Sequence, residues 1–230
     1  MGQEVCRAIT ADPATELVAE IDIGDSLERL AEADVDVAVD FTVLEAARKT
    51  LRLAATHGIH AVVGTSGFSG DDLAEINAEF TSSNALIAPN FAIGAVLMVR
   101  MAELAAPHFD TAEIVEFHHD NKIDAPSGTA THTAERMAAA SSEWGDDPTR
   151  QEVYPGARGG LGPGGIRVHA VRMRGAVANQ EVILGTTGQT LTIRHDTVDR
   201  TSFMPGVLIG VKRVTEFPGL TVGLDTYLGL

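Results

Sequence analysis

The chain has 230 residues, 44% of them hydrophobic and only 5% aromatic, with a formal net charge of −15. This composition supports a packed core of Val, Ile, Leu and Ala, and it excludes a disordered chain and a basic nucleic-acid-binding surface. Cys6 is the only cysteine, which excludes an internal disulfide framework, and no apolar run reaches membrane-span length without charges inside it.

In chain order, "MGQEVCRAIT" reads as a helix, and apolar β-branched runs then alternate with helical patterns. "ELVAEID" (16–22), "VDVAVDF" (35–41), "HAVVG" (60–64) and "ALIAP" (85–89) are predicted strands. Between them, "LEAARKTLRLAATHG" and "DDLAEINAEFTSS" have the 3.6-residue spacing of helices, the first closed by Gly58 and the second opened by Asp71-Asp72. "FAIGAVLMVRMAELAA" carries Arg100 and Glu103 at its middle and reads as a buried helix. A strand over Ala112–His119 and a helix over Gly128–Ala140 follow. Three β-rich runs, "IRVHAVRMR", "NQEVILGTT" and "QTLTIRHDT", come next; Gly175 and Gly188 separate them at hairpin-like spacing. A helix near Ser202–Thr215 and a strand, "GLTVGL", finish the chain.

Alternating strands and helices predict a Rossmann-like parallel sheet, with an α+β second domain after it. The expected division is 1–91 plus 203–230 for the Rossmann-like domain and 92–202 for the α+β domain. In open parallel sheets ligands bind at the carboxyl ends of the strands, here Asp22, Phe41-Thr42, Gly64-Thr65-Ser66 and Pro89-Asn90-Phe91. A dinucleotide fold opens with a strand and a glycine-rich turn. Gly2 lies about 20 residues before Asp22, the spacing expected between the last fingerprint glycine and the acid that binds the adenosine ribose. The nucleotide domain is therefore expected to be N-terminally incomplete, with an upstream in-frame start encoding a short apolar strand and a glycine turn.

Charge is uneven. Ala11–Glu45 holds eleven acidic residues against Arg29, whereas Arg150–Gly175 holds five arginines against Glu152. The second segment is expected to supply a local anion pocket in an acidic protein.

The densest chemistry lies in "HHDNKIDAPSGTA", His118 to Ala130. His118 ends a strand, and an imidazole exchanges protons near neutral pH. Lys122 is one of only three lysines among seventeen basic residues. Lysine can give up a proton, as arginine effectively cannot. Ser127-Gly128-Thr129 opens a helix whose free N–H groups can receive a carboxylate. His118, His119, Asp120 and Asp124 lack metal-ligand spacing, so no metal is expected.

The stretch "EFHHDNKIDAPSGTA" resembles the signature of the 4-hydroxy-tetrahydrodipicolinate (dihydrodipicolinate) reductase family of bacterial lysine and diaminopimelate biosynthesis. "AVVGTSGF", "LIAPNFAIGAVL", "QEVILGTTGQTLTIRHD" and "DRTSFMPGVL" are similar to that family's segments in the same order, and together they cover most of the chain. The resemblance implies hydride transfer from NADH or NADPH to a cyclic dicarboxylate imine. It implies His118 as the acid–base residue, Lys122 as a second proton donor, and His119, Gly128 and Thr129 as substrate-binding residues. Gly64, Thr65, Ser66, Ala88, Pro89, Asn90 and Phe91 would line the nicotinamide half of the cofactor, with Asp22 at the adenosine ribose. The resemblance also implies that 1–91 plus 203–230 bind the dinucleotide and that 92–202 bind substrate and build a homotetramer; a cytoplasmic protein with no nucleic-acid or membrane partner is expected. Two alternatives remain open: another nicotinamide reductase of the same architecture, and a truncated or degenerate copy with impaired cofactor binding.

Overall fold

The computed structural model describes residues 1–230, which divide into two compact units, Met1–Ile93 with Arg200–Leu230, and Gly94–Asp199. In chain order the elements are α1 (Gly2–Ala11), α2 (Arg29–Glu32), β1 (Val37–Asp40), α3 (Leu44–His57), β2 (His60–Val63), α4 (Gly70–Glu79), β3 (Ala85–Ile87), α5 (Ile93–Ala105), β4 (Thr111–His118), α6 (Gly128–Ala140), β5 (Gly160–Leu161), β6 (Arg167–Arg172), β7 (Ala178–Thr186), β8 (Gln189–Thr197), α7 (Met204–Arg213), β9 (Leu220–Val222) and α8 (Asp225–Leu228). No helix is long and apolar enough to cross a membrane.

The first unit is a four-stranded parallel sheet in the order β1-β2-β3-β9. Its central strands are apolar on both faces, because helices cover both. Ala61, Val63, Ala85 and Ile87 pack with Ala47, Leu51 and Ala54 of α3 and Ile76 of α4. Val62 and Leu86 face α7, where a Cβ on Gly210 would lie 2.9 Å from Leu86 Cδ2, so the glycine permits the close approach. Gly58, at φ 68°, closes α3 in the left-handed conformation. Ser69 caps α4 in a reciprocal box with Asp72, so the expected Asp71-Asp72 pair lies in the first turn of the helix.

Residues 16–22 depart from expectation. They run extended, and Leu17, Ala19 and Ile21 are more covered than Glu16, Val18 and Glu20, yet they join no ladder. No strand pairs with them, and an open cleft of about 2210 Å³ is lined by residues of this segment and of β1. A strand needs a neighbour within hydrogen-bonding reach, whatever its alternation.

The second unit is a mixed sheet in the order β5-β6-β4-β7-β8. Its helix-covered face packs Ile114, Val168, Val182 and Leu184 against Met98, Val99 and Ala102 of α5 and Ala130, Ala134 and Met137 of α6. Gly188, at φ 83°, turns the β7–β8 hairpin. Gly175 does not turn a hairpin, contrary to its spacing. β6 and β7 lie on opposite sides of β4, which pairs parallel with β6 and antiparallel with β7.

Candidate active site

In the second unit the site grows out of β4. Side chains two apart on a strand share a face, so Ile114, Glu116 and His118 carry the helix-covered side of β4 from core to rim. Ile114 is buried in apolar contacts, Glu116 is fully buried, and the His118 side chain keeps 16% of its exposure. A carboxylate can be buried only with its lone pairs filled, and here they are. Arg172 of β6 makes a two-pronged contact, 2.7 Å to Oε2 and 2.8 Å to Oε1. His118 Nδ1 lies 2.6 Å from Oε2, and the Ser127 backbone N–H donates to Oε1 at 3.0 Å.

Ser127 is also the N-cap of α6, its hydroxyl accepting from the Ala130 N–H at 3.2 Å. One carboxylate thus joins His118 to the start of α6. At that start Gly128 is exposed, and a Cβ built there would meet nothing within 4 Å, so a ligand can approach the backbone. Thr129 is half-buried on the same first turn. Lys122, 20% exposed, donates to both carboxylate oxygens of Asp124 at 2.8 Å, and Arg172 donates to the Asp124 carbonyl at 2.7 Å. His119 is exposed on the turn after β4, off the shared face.

The electrostatics follow from these contacts. Burial is the largest influence on His118 and pushes its pKa below the ordinary value; Glu116 opposes this, while Lys122 and Arg172 reinforce it. Burial pushes the Glu116 carboxyl up, but hydrogen bonds from Arg172 and His118, with the Ser127 N–H, outweigh it and hold the pKa below the ordinary value. Lys122 lowers Asp124 in the same way.

The arginine-rich segment does not form the expected anion pocket. Arg158 pairs with Glu113 and Asp147, Arg167 with Asp147, Arg172 with Glu116 and Arg174 with Asp120, so its charge is neutralised by acids from outside the segment. Arg150 caps the carbonyls of Asp147 and Thr149.

In the first unit Gly64, Thr65, Ser66, Ala88, Pro89, Asn90 and Phe91 follow the carboxyl ends of β2 and β3, whereas Asp22 follows no strand, contrary to expectation. Asp40 ends β1 buried, accepting from the Thr42 N–H and hydroxyl at 2.9 and 2.8 Å and from the Thr65 hydroxyl at 3.1 Å. It thereby fixes the loop Gly64-Thr65-Ser66 after β2, in which Thr65 is buried and Ser66 exposed. A Cβ on Gly64 would lie 2.1 Å from the Phe41 ring, which itself packs in a tilted arrangement against Phe91, centroids 5.5 Å apart. After β3, Ala88 and Phe91 are buried and Pro89 is exposed, while Asn90 accepts from the Ala92 N–H at 2.9 Å. Asp22 stands on an exposed turn, its carboxylate accepting from the Ile23 N–H at 2.7 Å. Met1 to Gln3 at the start of α1, Asp22 and Thr42 all line the 2210 Å³ cleft. A helix start that can attract an anion, an exposed carboxylate and the loop after β1 thus share one cleft, groups of the kind a dinucleotide needs.

Sequence reasoning assigned no role to Glu116 or Arg172. Glu116 could have been found, because its i, i+2 spacing puts it on the His118 face. Arg172 comes from a strand 56 residues away, and only the β4–β6 register brings it there.

Comparison with known proteins supplies the wider context. Residues 1–91 match the family model for the N-terminus of dihydrodipicolinate reductase, and residues 94–228 match that for its C-terminus. The chain is 52% identical over its whole length to proteins of Corynebacterium aurimucosum and Nocardia farcinica, covering 95% of each; both are named 4-hydroxy-tetrahydrodipicolinate reductase. Among solved structures, a dipicolinate-bound dihydrodipicolinate reductase from Paenisporosarcina sp. TG-14 is 36% identical, with a TM-score of 0.86 over 98% of this chain and 94% of that one. An amine dehydrogenase from Mycobacterium smegmatis, 16% identical with a TM-score of 0.57 over 87% of this chain and 78% of that one, shares the fold alone.

Proposed function

The chain belongs to the dihydrodipicolinate reductase family, and from that premise we propose that His118 and Lys122 handle the protons in reducing 4-hydroxy-tetrahydrodipicolinate to tetrahydrodipicolinate. The observation that carries this reading is the Glu116 carboxylate, which ties the His118 ring and the α6 start together at 2.6 and 3.0 Å. A proton donor and an anion-binding helix start are the two things a dicarboxylate ring needs when it gains a hydride.

Gly128 and Thr129 receive a substrate carboxylate at the α6 N-terminus, and His119 contributes from the turn beside them. A nicotinamide dinucleotide, NADH or NADPH, supplies the hydride when bound. Asp22 holds its adenosine ribose, and Gly64, Thr65, Ser66, Ala88, Pro89, Asn90 and Phe91 line its nicotinamide end. Charge that develops on the ring is countered by the Lys122 ammonium and removed by a proton from His118 or Lys122. The first unit is then the dinucleotide-binding part and the second the substrate-binding part. A homotetramer in the cytoplasm completes the proposal. Val115, Phe117 and Ile183 are only half-buried on the sheet face opposite α5 and α6, which supports assembly through the second unit.

The test is His118→Gln, assayed by nicotinamide oxidation with the dicarboxylate substrate. Turnover should fall by roughly 10²-fold or more, the usual size of an acid–base contribution, with the fold unchanged. Near-normal kcat would remove His118 from the chemistry. A wild-type chain unable to oxidise cofactor would favour the degenerate-copy alternative.

A further inference from the structure

Glu116 has four contacts and none of them is with solvent. From its own strand His118 faces it, from β6 Arg172, and from the loop before α6 the Ser127 N–H. Lys122 and Asp124 are the further charged groups about His118 and Arg172. Gln180, opposite Glu116 on β7, is neutral and donates to Thr133 of α6 at 2.8 Å.

Three of the donors are fixed in kind. A guanidinium and a backbone N–H can only donate, so both Glu116 oxygens must accept. His118 Nδ1 meets one of those oxygens at 2.6 Å, and because the guanidinium keeps the carboxyl ionised, with no hydrogen to give, Nδ1 must carry the hydrogen. The neutral ring is left with its acceptor at Nε2, and the protonated ring with a donor there. Both states keep the same ring orientation.

We infer that Glu116 is the positioning residue of this site, fixing the tautomer and orientation of His118 so that Nε2 is the nitrogen that exchanges the proton, with Arg172 clamping the carboxylate. The inference rests on the reading of His118 as the acid–base residue, and deepens it. Glu116→Gln makes the point sharply. Its amide must keep an oxygen toward Ser127 N–H and one prong of Arg172, so its NH₂ turns toward His118. Nδ1 must then accept, and the hydrogen of the neutral ring moves to Nε2. Glu116→Asp retains an acceptor on a shorter stem and should restore part of the function.

The decisive measurement is ¹⁵N NMR of the His118 ring in the wild-type protein and in Glu116→Gln, with kcat and KM against pH for wild type, Glu116→Gln and Glu116→Asp. We expect an Nδ1–H tautomer in the wild type and Nε2–H in Glu116→Gln. We expect kcat to fall about 10²–10⁴-fold in Glu116→Gln with KM changed far less, the order seen when a histidine's tautomer is inverted. The His118-dependent limb should move to lower pH, since the carboxylate that favours the imidazolium is gone, and Glu116→Asp should recover at least tenfold in kcat. An Nε2–H ring in the wild type overturns the inference, and that measurement stands even if Glu116→Gln fails to fold. A Glu116→Gln variant with unchanged tautomer and pH profile overturns it too. If the tautomers behave as expected while His118→Gln turns over normally, the positioning contact stands and the acid–base reading of His118 falls.

Discussion

The Glu116–Arg172 contact predicts a stability effect whose pH dependence is distinctive. Arg172→Met removes the guanidinium and leaves a fully buried carboxylate held only by His118 and one backbone N–H. Breaking a buried pair on one side costs about 3–5 kcal/mol. The lower end applies because the Arg172 side chain is 20% exposed, so water can follow into the space it leaves. About 3 kcal/mol in a chain of this size lowers Tm by roughly 6–12 °C. In the wild type the Glu116 pKa is depressed, so its stabilisation is present above the unfolded carboxyl value and is lost as pH falls through the folded value. In Arg172→Met burial is no longer opposed by the guanidinium, and the pKa rises above the unfolded value. The native variant then takes up a proton as pH falls, and its deficit shrinks. The gap between the two proteins should therefore be largest near pH 7, narrow as pH falls toward about 4.3, the ordinary glutamate value, and go on narrowing below it as the wild type loses its own stabilisation. Thermal melts and urea titrations at intervals across that range measure it. A gap below 1 kcal/mol at pH 7, or one that does not narrow on acidification, would refute the claim that Arg172 neutralises a buried charge.

Pyridine-2,6-dicarboxylate should inhibit competitively with the dicarboxylate substrate, and its monoester should bind roughly 10–100-fold more weakly, the worth of one charge-assisted contact; equal inhibition constants would remove Gly128 and Thr129 from the carboxylate site. Gly206→Ala would place a Cβ 2.1 Å from the Phe91 carbonyl oxygen, a backbone atom that cannot turn aside, and should cost about 1–3 kcal/mol. Gly70→Ala, with nothing within 4 Å and a place in the first turn of α4, should be neutral or slightly stabilising. Melting curves of both variants check the contrast, and equal losses would show that the close approach at Gly206 is not what requires glycine.

Much of the fold was legible because local signals and tertiary neighbours agreed. "HAVVG" and "ALIAP" are uninterrupted apolar runs, as expected of strands covered on both faces, and they became β2 and β3. The α6 helix begins at Gly128 as expected, because Ser127 is a genuine cap and Pro126 stands just before it. Residues 16–22 show what such signals lack. Their alternation is real and survives as alternating burial, but a ladder is a property of two segments, and here no second segment pairs with this one. Gly175 makes the same point for topology. Its spacing suits a hairpin, yet β4, already formed earlier in the chain, takes the place between β6 and β7.

The candidate site divides along the same line. His118, Lys122, Gly128 and Thr129 lie within one short stretch, so residue type and order drew attention to it, and the family resemblance assigned their expected roles. What organises them was not legible in that way. Arg172 belongs to a segment whose arginines suggested an anion pocket, and the structure turns that charge inward onto Glu116 instead. The consequence reaches the chemistry. An anion pocket built from arginines would bind substrate and leave the histidine to find its own orientation, whereas an arginine spent on a buried carboxylate binds nothing and fixes the histidine. On the proposed reading, substrate charge is then met mainly by the α6 N–H groups, with a Lys122 ammonium that is shared with Asp124. Salt added to the assay should consequently weaken substrate binding only modestly, since helix N–H groups aimed at a bound carboxylate are screened far less than an exposed arginine cluster would be.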